Sequence, residues 1–198
     1  KLGAQSVGAE ELTKKVYESN YNEDHKSEFF EIVEELYEHN KIIKDKNELK
    51  KIIKLIRKLD LTIGFTNGCF DILHRGHTKY LDEARGSVDF LFIGINDDPS
   101  IKKLKGNKRP INNIKDRLEM LRRATFDDAF IIKFNEATPI NLIKTIKPDI
   151  LMKGSDYKEH EIVGSDFVKK YKGEIKIIPL VKGFSSSNII KKIIKSSN

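Results

Sequence analysis

The sequence predicts an α/β fold, a Rossmann-like open parallel sheet preceded by a helical linker. Three observations carry that expectation. From Leu61 onward, apolar runs of strand length alternate with stretches of helical period. One run, Val88 to Asn96, is apolar almost throughout, as a strand covered on both faces must be. The segments rich in glycine, histidine, lysine and serine all follow strands, which is where open α/β sheets bind ligands.

Composition narrows the class. The 198 residues suit one ordinary domain with an appendage, and a hydrophobic content of 38% suffices for one core. A lone cysteine and the lack of any long apolar run imply a reducing, cytoplasmic setting with no membrane partner. The opening KLGAQSVGAEEL has no apolar h-region and no initiator Met, so the chain is expected to be a fragment or a processed protein without a signal peptide. The first 60 residues carry 12 Lys/Arg against 13 Asp/Glu, and the remainder carries 25 against 17. The excess positive charge therefore belongs to the α/β part, where it suits small polyphosphates. Aromatic residues do not interleave with the basic ones as nucleic-acid binding requires, so no nucleic-acid partner is expected.

The elements follow in order. Glu10 to Glu18 reads as a helix in a connector. In YNEDHKSEFFEIVEELYEHN, residues 21–40, Phe29, Phe30, Ile32, Val33, Leu36 and Tyr37 recur at helical spacing behind a Ser27 N-cap. This acidic helix packs on the domain or makes a dimer contact, with His25 and His39 solvated at its ends. Lys41–Lys44 is extended, and Asn47–Leu59 is a helix capped by Asp45 or Asn47. The first strand, Leu61–Phe65, breaks at Asn67-Gly68, where glycine permits a positive φ and a tight turn. A helical pattern resumes through Tyr80, Leu81 and Ala84. Strand Val88–Asn96, helix Asn113–Thr125 and strand Ala129–Phe134 come next. Thr138-Pro139 opens a helix, with proline at its favoured first position, that ends at Lys147-Pro148. Strands Asp149–Met152 and Glu174–Leu180 precede a last helix that starts within Ser185–Ser187. The division is therefore a linker over 1–45 and the α/β domain over 46–198.

The chemistry points to phosphate. A strand, a glycine turn and a helix start expose unpaired N–H groups and the positive end of a helix dipole. His74 and His77, three residues apart at that helix mouth, add donors for one phosphate. Gly76 between them is a poor helix residue, which implies that something approaches its backbone closely. A metal reading through Cys69, His74 and His77 lacks a fourth ligand, so no dedicated cage is expected, and Cys69 is a small filler. Asp71 caps the turn or holds a site cation. Lys103, Lys105, Lys108 and Arg109 form a basic loop after the second strand, either solvated or a clamp on an anion. Arg117 reaches the site from the next helix or stands exposed on it. Lys153-Gly154-Ser155-Asp156-Tyr157 lets a ligand approach the backbone, with Asp156 accepting from hydroxyls. Ser185, Ser186 and Ser187 offer hydroxyls and free N–H groups at a helix start.

Gly68-Cys69-Phe70-Asp71 followed by His74-x-Gly76-His77 resembles the signature of the cytidylyltransferase-like nucleotidylyltransferases. Lys103-Leu104-Lys105-Gly106, Arg109-Pro110-Ile111-Asn112, Arg117, Lys153 to Tyr157 and Ser185 to Ile190 are similar to one branch. That branch is the D-glycero-β-D-manno-heptose 1-phosphate adenylyltransferase domain of the bifunctional heptose kinase/adenylyltransferases of lipopolysaccharide core synthesis. The resemblance covers Ile42 to the C-terminus and implies the HxGH nucleotidylyltransferase fold. It implies transfer of AMP from ATP, carried with Mg²⁺, to a heptose 1-phosphate. His74, His77 and Lys103 would be catalytic. Thr66, Asn67, Gly68, Phe70, Gly76, Asn96, Arg109, Arg117, Lys153, Gly154, Asp156 and Ser185–Ser187 would contact the nucleotide. Asp71, Lys105 and Tyr157 would contact the sugar phosphate. The family often places a basic residue before the serine run; here Gly183-Phe184 stand there and Lys182 is the nearest cation. KLGAQSVGAEEL resembles the tail of a ribokinase-type sugar kinase, which implies an upstream kinase half, and a homodimer is expected. The alternatives are a cytidylyltransferase for glycerol 3-phosphate or a similar polyol phosphate, and a non-catalytic nucleotide- or RNA-binding module.

Overall fold

The computed structural model describes residues 26–27, 30–31, 41–125, 129–181 and 183–196. The helix expected over Glu10–Glu18, most of the acidic segment with His25 and His39, and Lys182 lie outside the described residues. Of the acidic segment, Lys26, Ser27, Phe30 and Glu31 are helical, and Phe30 packs against the core.

Six parallel strands form one open sheet in the order β1-β4-β3-β2-β5-β6. They are β1 (Ile42–Ile43), β2 (Ile63–Gly68), β3 (Phe90–Asn96), β4 (Ala129–Phe134), β5 (Ile150–Gly154) and β6 (Glu174–Ile178). The helices are α1 (Lys46–Lys58), α2 (Arg75–Arg85), α3 (Asp98–Lys105), α4 (Ile114–Ala124), α5 (Ile140–Ile146), α6 (Ser165–Lys170) and α7 (Ser186–Ser196), with one 3-10 turn over Glu159–Glu161. Among the described residues no helix is long and apolar enough to cross a membrane.

Local chemistry sets most boundaries. Asp45 caps α1 by accepting from the amides of Asn47 and Glu48, and Leu49, Ile52, Leu55 and Ile56 turn inward at helical spacing. Asn113 caps α4 in the same way through the amides of Lys115 and Asp116. Lys147, left-handed at φ 47°, ends α5 before Pro148. All seven residues of β3 are buried, which fixes it at the centre of the sheet.

Two apolar cores result, one on each face. Phe65, Phe92, Phe134, Leu142 and Ile143 belong to the face covered by α1, α5 and α6. Tyr80, Leu81, Ile93, Ile95 and Leu121 belong to the face covered by α2 and α4. Each fully buried side chain of this kind contributes about 1.5–3 kcal/mol.

Four expectations need correction. Ile42–Ile43, read as a short extended piece outside the domain, is an edge strand paired with Ile131–Ile132, so the sheet begins before residue 46. The stretch after β3 is not a loop up to Arg109. Asp97 accepts from the amide of Ser100 and, with proline in the first turn, starts a helix that ends at Gly106, φ 90°. The first strand does not break at Asn67-Gly68. Both residues stay extended and pair with Gly94 and Ile95, and the left-handed turn comes at Phe70, φ 46°. Strand pairing extends the chain there despite the turn propensity of Asn-Gly. Likewise β5 runs on through Lys153 and Gly154, paired with Ile177 and Ile178, so these residues end a strand instead of following it.

Candidate active site

The C-terminal ends of the strands open into a cavity of about 620 Å³. Its centre is the turn between β2 and α2. Phe70 packs on the α2 face and allows the chain to reverse toward His74, the N-cap of α2. His74 Nδ1 accepts the Gly76 amide at 3.1 Å, which leaves the hydrogen of a neutral His74 on Nε2. The His74 and His77 rings stack with centroids 3.9 Å apart, and Phe184 leans on His74 at 6.2 Å.

Gly76 has a reason that differs from the one its sequence position suggested. A Cβ there would lie 3.0 Å from the His74 ring and 3.3 Å from Phe184 Cβ. The close neighbour is the cap of its own helix. The amide that was to greet a ligand is instead held by His74.

Both imidazoles are biased toward the neutral form. Burial lowers His74. Burial, then the neighbouring His74 and Lys105, lowers His77 to about 4. Near neutral pH each ring therefore offers an N–H donor and no net charge. His77 Nδ1 is buried with no hydrogen-bond partner among the described residues. Behind the pair, Tyr80 and Thr66 share a buried hydrogen bond of 2.7 Å, and burial raises the Tyr80 phenol.

Across the cleft, Lys153 donates to the Asn67 carbonyl at 3.0 Å and lies 5.3 Å from the Tyr157 ring centroid. Burial pulls its ammonium down to about 8 while Asp156 and Cys69 act against that fall. It remains mostly cationic at pH 7. A Cβ on Gly154 would meet Asp156 Oδ1 at 2.7 Å and Leu180 at 2.9 Å, so glycine there makes room for these side chains. Ser186 donates to the Ile72 carbonyl at 3.2 Å, and Ser185 Oγ accepts the Asn188 amide at 3.1 Å. The start of α7 is thereby tied to the loop that carries His74.

Most of the residues expected at the site line this one cavity. Asn67, Gly68, Phe70, Asp71 and His74 come from β2 and its turn, Gly76 and His77 from the first turn of α2, and Asn96 and Lys105 from β3 and α3. Lys153, Gly154, Asp156, Tyr157 and Ser185–Ser187 complete it. Thr66, Lys103, Arg109 and Arg117 do not line it. Thr66 is buried beneath, bonded to Tyr80, and Lys103 stands exposed on α3.

The two arginines and Asp71 form a brace instead. The Asp71 carboxylate takes Arg109 Nε at 2.5 Å and the amides of Ile111 and Asn112 at 2.8 and 2.9 Å. Burial alone would raise that carboxyl; the donations from Asn112, Ile111 and Arg109 outweigh it and hold it below its usual value. Asp71 neither caps a turn nor offers free lone pairs to a cation. Arg117, with a wholly buried side chain, donates to the carbonyls of Cys69 and Asn112 and pairs with Asp98 at 2.7 Å. Its side chain is wholly buried and does not line the cavity.

Other lining residues went unread. Tyr80 sits one turn after His77, a spacing that was visible. Thr138 and Pro139, which open a helix by sequence pattern, also line the cavity. Ile162 and Val163, next to the 3-10 turn, carry no signal in the sequence. No group of three or more His, Cys, Asp or Glu able to hold a metal occurs among the described residues.

A family model described as Cytidylyltransferase-like matches residues 65–192. Over 149 residues the chain is 50% identical to the Bifunctional protein HldE of Campylobacter fetus subsp. fetus, a match covering 73% of this chain and 31% of that protein. The chain thus spans about a third of the length of the curated relatives it matches. A lipopolysaccharide core biosynthesis protein from Thermoplasma volcanium superposes with a TM-score of 0.51 at 28% identity, covering 63% of this chain and 99% of that one. A pantoate-beta-alanine ligase from Francisella tularensis, 17% identical, shares the fold with a TM-score of 0.51 over 78% of each chain.

Proposed function

The chain belongs to the cytidylyltransferase-like family, and from that premise we propose that it transfers AMP from ATP to D-glycero-D-manno-heptose 1-phosphate. The products are ADP-heptose and pyrophosphate, and the acceptor is the β anomer. The observation that carries this reading is the convergence of His74, His77, Lys153 and the Ser185–Ser187 helix start on one cavity. All four offer donors or positive charge, the chemistry that phosphate requires.

The reaction needs little proton transfer. A sugar phosphate has its second pKa around 6, so near pH 7 it is already largely a dianionic nucleophile. One of its oxygens bonds to the α-phosphorus as the bond from that phosphorus to the bridging oxygen breaks, and pyrophosphate leaves with the electron pair. The barrier lies in bringing anions together and stabilising charge on the phosphoryl oxygens. His74 and His77 donate neutral N–H bonds to the α-phosphate. Lys153 adds a cation beside them, and α7 meets the leaving pyrophosphate with its first amides and serine hydroxyls. Lys105, Lys103 and Arg109 come from the segment that follows β3. Lys105 already lines the cavity, and Lys103, exposed on α3, serves as charge at its approach. Gly154 and Asp156 hold the ribose and base, and Tyr157 meets the sugar phosphate.

Mg²⁺ carried on the triphosphate would neutralise phosphate charge. The donor set of the cavity is mainly N–H and cationic, which fits a metal carried by the nucleotide better than one caged by the protein. The heptose assignment is supported by the motif resemblance and by likeness to a lipopolysaccharide core biosynthesis protein. The matched relatives are named as bifunctional. The corresponding reading here is a cytoplasmic, homodimeric transferase domain that works beside a sugar-kinase half and takes no nucleic acid or membrane partner.

Pyrophosphate release tests this directly, with Mg²⁺, across ATP, CTP and GTP and against both heptose 1-phosphate anomers and glycerol 3-phosphate. Turnover is expected with ATP and the β-heptose phosphate. Turnover with CTP and glycerol 3-phosphate would replace this reading by the polyol branch. Salt-sensitive RNA binding without any turnover would replace it by a binding module.

A further inference from the structure

The cavity extends beyond the histidines, onto the opposite face of the sheet. Thr66 points to the α2 face, where it meets Tyr80. Asn67, the next residue of the same strand, therefore points to the α5 face. Its partner across the sheet is Gly94. A Cβ on Gly94 would come within 3.1 Å of both Asn67 Cβ and the Phe65 ring, so glycine there keeps the floor low. Asn96, two residues on and on the same face as Gly94, is 4% exposed and gives its amide nitrogen to Ser100 at 3.2 Å. Thr138 and Pro139 at the start of α5, with Ile162 and Val163, close this wing.

Two features identify what the wing receives. Asn67 Oδ1 is buried in the cavity wall with no hydrogen-bond partner among the described residues. A buried amide oxygen without a donor is unfavourable, and its natural complement is an O–H or N–H of a ligand. The surroundings combine amides and a threonine hydroxyl with Pro139, Ile162 and Val163. That mixture suits a polyhydroxylated carbon skeleton, with hydroxyls for the polar groups and C–H edges for the apolar ones.

Sheet order supplies the direction. The Ser185–Ser187 run follows β6, on one side of β2, whereas Asn96 ends β3 and Thr138 follows β4, on the other. An in-line displacement at the α-phosphorus needs the incoming and leaving oxygens on opposite sides. With pyrophosphate at the serines, the incoming phosphate arrives from the β3–β4 side.

We propose that Asn67, Asn96 and Thr138, with Pro139, Ile162 and Val163, hold the sugar or polyol body of the acceptor phosphate, and that Asn67 Oδ1 accepts from one of its hydroxyls. The proposal rests on the transfer reading above and reassigns Asn67 and Asn96, expected at first to contact the nucleotide.

The test is steady-state pyrophosphate release by wild type, Asn67→Ala and Thr138→Val, varying ATP and heptose 1-phosphate in turn with the other saturating. Losing one neutral hydrogen bond corresponds to a KM rise of about 3- to 10-fold for the sugar phosphate in Asn67→Ala. The KM for ATP should hold within about twofold, and Thr138→Val should move the same constant in the same direction by less. Thermal unfolding run alongside shows whether each variant is folded, and Thr138→Val carries the test if Asn67→Ala is not. A matching rise in the KM for ATP, or no rise in either, overturns the proposal. If wild type itself releases no pyrophosphate with any pair, the transfer reading fails and the acceptor wing fails with it. A working wild type with the wrong KM pattern sinks the wing alone.

Discussion

Two charged regions flank the turn after β2, and they use similar side chains in opposite ways. On one side, His74, His77 and Lys153 border the cavity with bonding capacity to spare. Among the described residues His77 has a buried nitrogen without a partner, and Lys153 contacts the Asn67 carbonyl and the Tyr157 ring. On the other side, the Asp71 carboxylate and the Arg117 guanidinium are spent on the protein itself. The difference teaches that a charged residue beside a site is read by its remaining valence and not by its charge. The brace holds Cys69, Asp71 and Asn112 in place, and the open side faces the cavity.

The largest expected effect breaks the brace. Arg117→Ala leaves Asp98 and the carbonyls of Cys69 and Asn112 without their donor, and removing one partner of a buried pair costs about 3–5 kcal/mol. Urea unfolding should show that loss. A variant as stable as wild type that fails only to bind ATP would return Arg117 to the nucleotide side.

The next effect separates the regions by readout. His77→Ala should lower kcat by about 10²–10³, as for other donors that stabilise a developing oxyanion. Its unfolding free energy should move by about 1 kcal/mol or less, in contrast to Arg117→Ala. Equal losses of fold in both variants would erase the distinction between an open side and a braced side.

The smallest effect sharpens the comparison without a mutation. An NMR titration of the His77 ring should have its midpoint at about 4 in the folded protein. The sign follows from linkage. Below about 6.5 the unfolded chain takes up a proton at this ring, while the folded chain resists until about 4. The His77 contribution to stability is therefore level above pH 6.5 and declines as pH falls between those values. A folded-state midpoint above pH 7 would mean that the ring is largely cationic near neutral pH, which would change its chemistry toward phosphate.

The relation between sequence and structure follows the same division. His74, Gly76 and His77 were legible because a strand, a short polar turn and a helix start are local events, and the cap of α2 lies within three residues. The serine run before α7 was legible for the same reason. Asn67-Gly68 is extended, against its turn propensity, because β3 pairs with both residues, and no local rule contains that strand. Helix α3 was missed although Asp97 and Pro99 announce it, since lysines at its end drew the reading toward a loop.

The sequence by itself determined the alternation of strands and helices, the parallel sheet, and the phosphate chemistry at the mouth of α2. These depend on periodicity, capping and residue type over a few neighbours. Only the tertiary structure decided which polar groups remain available. Arg117 meets Cys69 and Asp98, and Asp71 meets residues some forty positions away, because the sheet order brings those segments together. Among the described residues Asn67 keeps an unbonded oxygen because the pleat turns it away from Thr66 and over Gly94. Hydrogen-bond satisfaction depends on all the neighbours of a side chain, and those neighbours are set by the fold.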